Sequence, residues 1–149
     1  MEITVDAGAE ENGLAAMLQG LLAENTAASD GKRRDLERIR TRFAVVAPDA
    51  EVAITIACEG GRCTILDGER DAEVTITADS GKIPEMSLLQ IRYGLPWVLD
   101  EAGQAFVRAL VKREIKIAGL VDLPIPRPLD TLRRALDLVR LTRVLSVNG

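Results

Sequence analysis

The side chains able to do chemistry in this chain are few, and one common type is missing. Histidine does not occur among its 149 residues. That absence removes the usual general base near neutral pH, the Ser-His-Asp and Cys-His nucleophilic arrangements, and most zinc or iron sites. Cys58 and Cys63 are the two thiols, and they flank a four-residue turn, Glu59-Gly-Gly-Arg62. A hairpin there would set them opposite each other. Three readings follow: free thiols, which is the plainest, a reversible disulfide, or a soft metal site. Two sulfurs without histidine are too few for the last, so no metal is expected. Asp100 and Glu101 adjoin Tyr93 and Trp97, and form the best pair for acid–base work. A carboxylate against apolar walls has its pKa raised, and could serve an isomerisation or cyclisation of a hydrophobic substrate. The plainer reading is that the pair opens a helix, capping it and meeting its dipole favourably.

The basic run Lys32, Arg33, Arg34, Arg38, Arg40 and Arg42 could meet phosphates. Asp30, Asp35 and Glu37 dilute it, aromatics for base stacking amount to 3%, and the sequence pI is about 5.0. No nucleic-acid partner is expected. Gly60-Gly61 lacks the surroundings of a phosphate loop and reads as a turn.

What remains is aliphatic. Hydrophobic residues make up 47% of the chain and charged ones 28%, with mean hydropathy +0.08. Leu, Ile, Val and Ala must therefore fill the core. A chain of this length is one domain burying roughly two-thirds of its unfolded surface. From Arg108 onward nine Lys/Arg face four Asp/Glu, against ten and nineteen before it. A basic, apolar end on an acidic body suits transient contact with anionic head groups or an acidic partner. More simply, the arginines solubilise a greasy helix. Charges interrupt every apolar run short of the ~18 residues of a transmembrane segment. The opening Met-Glu-Ile-Thr-Val-Asp has neither the basic nor the apolar region of a signal peptide, so the cytoplasm is the expected compartment.

The periodicities give an α+β order. Residues 1–5 suit a short strand or a frayed end. Leu14, Met17, Leu18, Leu21 and Leu22 predict a helix from Glu10 to about Ala28, with a break over 25–31. A second helix is expected from Lys32 to Arg42, burying Leu36, Ile39 and Phe43. Residues 51–57, 63–66 and 73–77 alternate, and their Gly-containing turns predict an antiparallel meander. Asp100 or Glu101 opens a helix through Val111, Ile115 and Ile117 mark a further strand, and Pro128 suits the first turn of the last helix. That helix puts Leu129, Leu132, Ala135, Leu136 and Val139 on one face, then Leu138, Leu141, Val144 and Leu145 around much of its girth. Such a helix needs cover from a core, a ligand, a membrane or a partner chain, a homodimer included.

Three segments resemble the type-two sterol carrier protein family of lipid-transfer domains. They are the hairpin Val52-Ala-Ile-Thr-Ile56 with Cys63-Thr-Ile-Leu66, the strand Asp71-Ala-Glu-Val-Thr-Ile-Thr77, and Arg113-Glu-Ile-Lys-Ile-Ala-Gly119. The last is similar to the family's "GKLKIKG" strand, with Arg113 and Glu114 in place of its Gly-Lys opening. The resemblance covers roughly residues 43–147, with 1–42 as an N-terminal helical segment of the same domain. It implies a mostly antiparallel five-stranded sheet packed with helices around an apolar tunnel for a lipid, fatty acyl chain or sterol-like molecule. It carries over no catalytic residue and no cofactor.

A tunnel needs an aliphatic lining, a flexible mouth and a polar group for the ligand's head. The expected lining begins with Leu88, Leu89, Ile91, Tyr93, Leu95, Trp97 and Val98, where Gly94 and Pro96 suit a lid. Phe106 and Leu110 continue it, and Leu132, Leu136 and Val139 close it from the last helix. The expectation is a carrier of hydrophobic ligands, with two alternatives. One is an interaction module using the last helix; the other is a cavity enzyme using Asp100 or Glu101.

Overall fold

Alternation along the middle of the chain does produce strands, but their neighbours differ from a simple meander. The computed structural model describes residues 2–83, 91–92, 95–96, 101–120 and 128–146. Within them six strands form one mixed sheet: β1 (Glu2–Val5), β2 (Phe43–Ala47), β3 (Val52–Glu59), β4 (Arg62–Asp67), β5 (Val74–Ala78) and, numbered in chain order after a separate small pair, β8 (Ile115–Ala118). The separate pair is β6 (Ile91–Arg92) with β7 (Leu95–Pro96). Across the main sheet the order is β1-β4-β3-β2-β5-β8. Here β1–β4 and β2–β5 run parallel, and the remaining pairs antiparallel.

Three of the five pairings are antiparallel, while the expected five strands and their meander are corrected in two places. Phe43–Ala47 is a strand, and the helix before it stops at Arg38. The run Phe-Ala-Val-Val-Ala is apolar at every position because the strand is central, flanked by β3 and β5 and buried along most of its length. A short unbroken apolar run cannot be told from a helical face by periodicity. The second correction concerns β5, which leaves β4 and pairs in parallel with β2. The 68–70 connection crosses the sheet here: the Thr55 hydroxyl donates to the Gly68 carbonyl and accepts from the Arg70 amide.

The β3–β4 hairpin forms as expected. Gly60 and Gly61 both take positive φ, +60° and +80°, as the tightest hairpin turns require. Its register sets Cys58 against Cys63, and the two are joined in a disulfide. The plainest expectation, free thiols, is thereby replaced: both sulfurs project from directly opposed positions onto one face.

That face is the apolar one. The ladders place Ile65, Ile56, Phe43 and Val74 in one cross-strand row, and Ile54, Val45, Ile76 and Ile117 in the next. Helices cover it. The first, α1 (Gly13–Ala28), starts later than expected because a 3-10 turn at Ala7–Ala9 precedes it. Asn12 caps it, accepting from the Leu14 and Ala15 amides. The Asn12 amide nitrogen donates to the Ala53 carbonyl and to Asp67, which ties the helix start to the sheet. The break expected over 25–31 falls at Ser29, which alone separates the end of α1 at Ala28 from α2 (Asp30–Arg38).

The last two helices are α3 (Glu101–Val111) and α4 (Pro128–Leu145), with the expected proline at the start of α4. Three contacts seat α4. Asp137, 1% exposed, accepts from the Arg40 and Thr41 amides and the Thr41 hydroxyl, and from Arg140. Arg133 and Arg134 both donate to Glu73 just before β5. At the far end Asn25 donates to the Val144 and Leu145 carbonyls, and the Lys32 amine to that of Ser146. These bonds satisfy carbonyls that a helix end leaves open. Gly119 follows β8 at φ +94°, where a Cβ would lie 2.0 Å from the Glu73 carbonyl oxygen. Only glycine lets the chain pass so close to the start of β5.

Candidate functional site

Two apolar hollows lie over the row Val45–Ile76–Ile117. The larger, about 440 Å³, has Val45 and Ile76 as floor and α1 as wall, through Ala16, Met17, Leu18, Gly20, Leu21 and Glu24. Ile83 and Leu145 complete it. The smaller, about 160 Å³, lies beyond Ile76 and is lined by Phe106, Ile117, Leu138, Val139, Leu141, Thr142 and Leu145. Ile76 and Leu145 therefore belong to both, and stand where the two meet. The larger hollow falls within the roughly 300–1,000 Å³ of small-molecule sites.

The wall contributed by α1 follows helical spacing. Residues 16, 17, 20, 21 and 24 recur within one face, while Leu14, Ala15, Leu18 and Leu22 are buried. Gly20 is the informative member. Glycine inside a helix costs about 0.5–1 kcal/mol relative to alanine. A Cβ added at Gly20 would meet nothing within 4 Å, so packing does not require its absence. The missing side chain leaves the wall of the hollow open.

Polar groups around the hollows are mostly committed. The Thr142 hydroxyl donates to the Leu138 carbonyl in its own helix. Asn25 is spent on the end of α4, as is Lys32, whose pKa burial pushes down. Glu24, exposed at the edge of the larger hollow, is the one charged residue among the described residues of either lining.

Of the residues expected to line a tunnel, Phe106 and Val139 border the smaller hollow, and Leu110 packs partly buried against the core. Leu132 and Leu136 are 55% and 46% exposed, on the outward side of α4 with Leu129. Asp137, Leu141 and Val144 take its inward side instead, because the carboxylate of Asp137 is drawn to the turn at Arg40–Thr41. Leu88, Leu89, Tyr93, Trp97, Val98 and Asp100 lie outside the described residues, and Ile91 and Leu95 are described as backbone in β6 and β7. Glu101 is exposed in the first turn of α3, where the helix dipole favours an acid. Sequence reasoning missed α1 as a wall; its signal was a glycine within an otherwise regular helical pattern.

Among the described residues no group of three or more His, Cys, Asp and Glu could hold a metal, and no helix is long and apolar enough to cross a membrane.

No protein-family model and no curated protein matches this chain. Solved structures do. A UbiJ-SCP2 ubiquinone synthesis protein is 14% identical, with 85% of this chain and 93% of that one covered at a TM-score of 0.52. Sterol carrier protein 2 is 16% identical, with 87% and 94% covered at a TM-score of 0.48. The fold of this chain is the α+β fold of the type-two sterol carrier domains.

Proposed function

We propose that this chain, on its sterol-carrier fold, binds and carries a hydrophobic molecule such as a lipid, a fatty acyl chain or a sterol-like compound. The observation that carries the reading is the pair of apolar hollows meeting at Ile76 and Leu145, with Gly20 leaving one wall open. Binding would work by withdrawing hydrocarbon from water, at about 25 cal/mol per Å². Burying roughly 300 Å² of ligand gives ~7 kcal/mol before the cost of association is met. No covalent step is needed, which suits a chain without histidine.

Gly20→Leu is the matching test. It should fill the larger hollow while improving α1 as a helix. The wild-type protein is expected to bind the neutral dye Nile red and to release lipid to organic solvent for mass spectrometry. The variant should lose most of the dye binding with its circular dichroism unchanged. A wild-type protein that takes up neither dye nor lipid contradicts the carrier reading, and undiminished dye binding by Gly20→Leu contradicts this location.

The exposed stripe Leu129, Leu132 and Leu136 favours a second reading, that α4 packs on a partner or on a second copy of the chain. The two readings use opposite sides of α4 and are compatible.

A further inference from the structure

We infer that the larger hollow selects hydrophobic ligands by their head group, taking a hydroxyl or a protonated amine at Glu24 and rejecting a carboxylate. The inference rests on the carrier reading. It names the class of ligand that this hollow would hold.

The argument starts from where a polar head could go. Among the described residues the smaller hollow offers none: seven of the eight that line it are apolar, and the hydroxyl of Thr142 is bonded to the Leu138 carbonyl. Burying a head group there would strip it of water with no partner in return. The larger hollow lies against α1, and nine of the ten described residues that line it are apolar or glycine. The tenth is Glu24. Neighbouring polar groups are already engaged, since Asn25 donates to the Val144 and Leu145 carbonyls and Lys32 to that of Ser146. The Glu24 side chain makes no ion pair or hydrogen bond among the described residues, and among them no Lys or Arg lines either hollow.

A ligand with its tail over Val45 and Ile76 and its polar end at the α1 wall would thus set that end beside Glu24, the one charged group of the described lining. An ionised carboxylate is acceptor-only, so it receives a hydrogen bond from an alcohol and a charge-assisted one from an amine. A fatty acid brings a second negative charge to the same place. Like charges brought together there repel, more strongly near a protein surface than in open water, and the repulsion falls on the acid.

Three probes with one tail separate head from tail: dodecanol, dodecylamine and dodecanoate, each competing with Nile red at neutral pH. The alcohol and the amine should displace the dye at concentrations roughly tenfold lower than the acid. In Glu24→Gln the amine and the acid should approach each other, and in Glu24→Lys their order should reverse. Glu24 is exposed, so both variants should keep the wild-type circular dichroism spectrum. Equal displacement by all three probes, or an unchanged order in Glu24→Lys, overturns the head-group inference while leaving the carrier reading standing. Failure of the wild-type protein to bind Nile red overturns both.

Discussion

Asp137 illustrates how one residue can decide the orientation of an element. Removed from water, its carboxyl would by burial alone titrate above the usual range. The Thr41 hydroxyl, the Arg40 amide, Arg140 and the Thr41 amide outweigh that and hold it below the ordinary value of 3.8. A carboxyl depressed in the folded state takes up its proton more readily once unfolded. Its stabilisation is therefore complete above the ordinary value and fades as pH falls through the depressed one. Glu73, held low by Arg133 against the opposing effect of its burial, acts in the same direction. Asp137→Asn should cost about 2–4 kcal/mol at neutral pH, because hydrogen-bond donors chosen for an anion are left poorly matched. In urea unfolding the gap between wild type and variant should narrow as pH drops below about 4. A gap that is constant with pH would deny Asp137 this role. Nothing local in the sequence marks it, since its main partners are amides nearly a hundred residues earlier. Gly119 was easier to read. It stands at the end of a recognisable strand motif, and its close pass over Glu73 gives that position a physical reason.

At the scale of elements, spacing located helices and strands better than it located their faces. The strand at 115–118, the hairpin at its glycine pair and the proline opening α4 were all legible, because each depends on local geometry. The strand 43–47 was not, since a central strand loses the alternation that identifies an edge. The inward side of α4 was not either, as its apolar residues encircle it and a buried acid chose among them. The outcome leaves Leu129, Leu132 and Leu136 facing outward at helical spacing. If that stripe packs against a second copy, light scattering should give twice the mass of the 149-residue chain. Replacing the three leucines with lysine should restore the single mass and leave Nile red binding intact. A wild-type protein that remains single at high concentration would dismiss self-association.

For the molecule as a whole, the resemblance in three short segments anticipated the sterol-carrier fold, while the strand count and pairing needed long-range contacts that no local pattern encodes. The expected lining shows the same division. Phe106 and Val139 do border a hollow, but most of the larger one is built by α1, outside the stretch that carried the resemblance. Hydrophobicity marked the second half of the chain; the open space lies where the first helix carries a glycine. The claim on which the account turns is that hydrocarbon occupies that space. Nuclear Overhauser contacts between carbon-labelled dodecanol and the methyl groups of the folded protein test it most directly. The account predicts contacts from the alkyl chain to Val45, Ile76 and Leu145. Contacts confined to Leu129, Leu132 and Leu136, or none at saturating dodecanol, would contradict it.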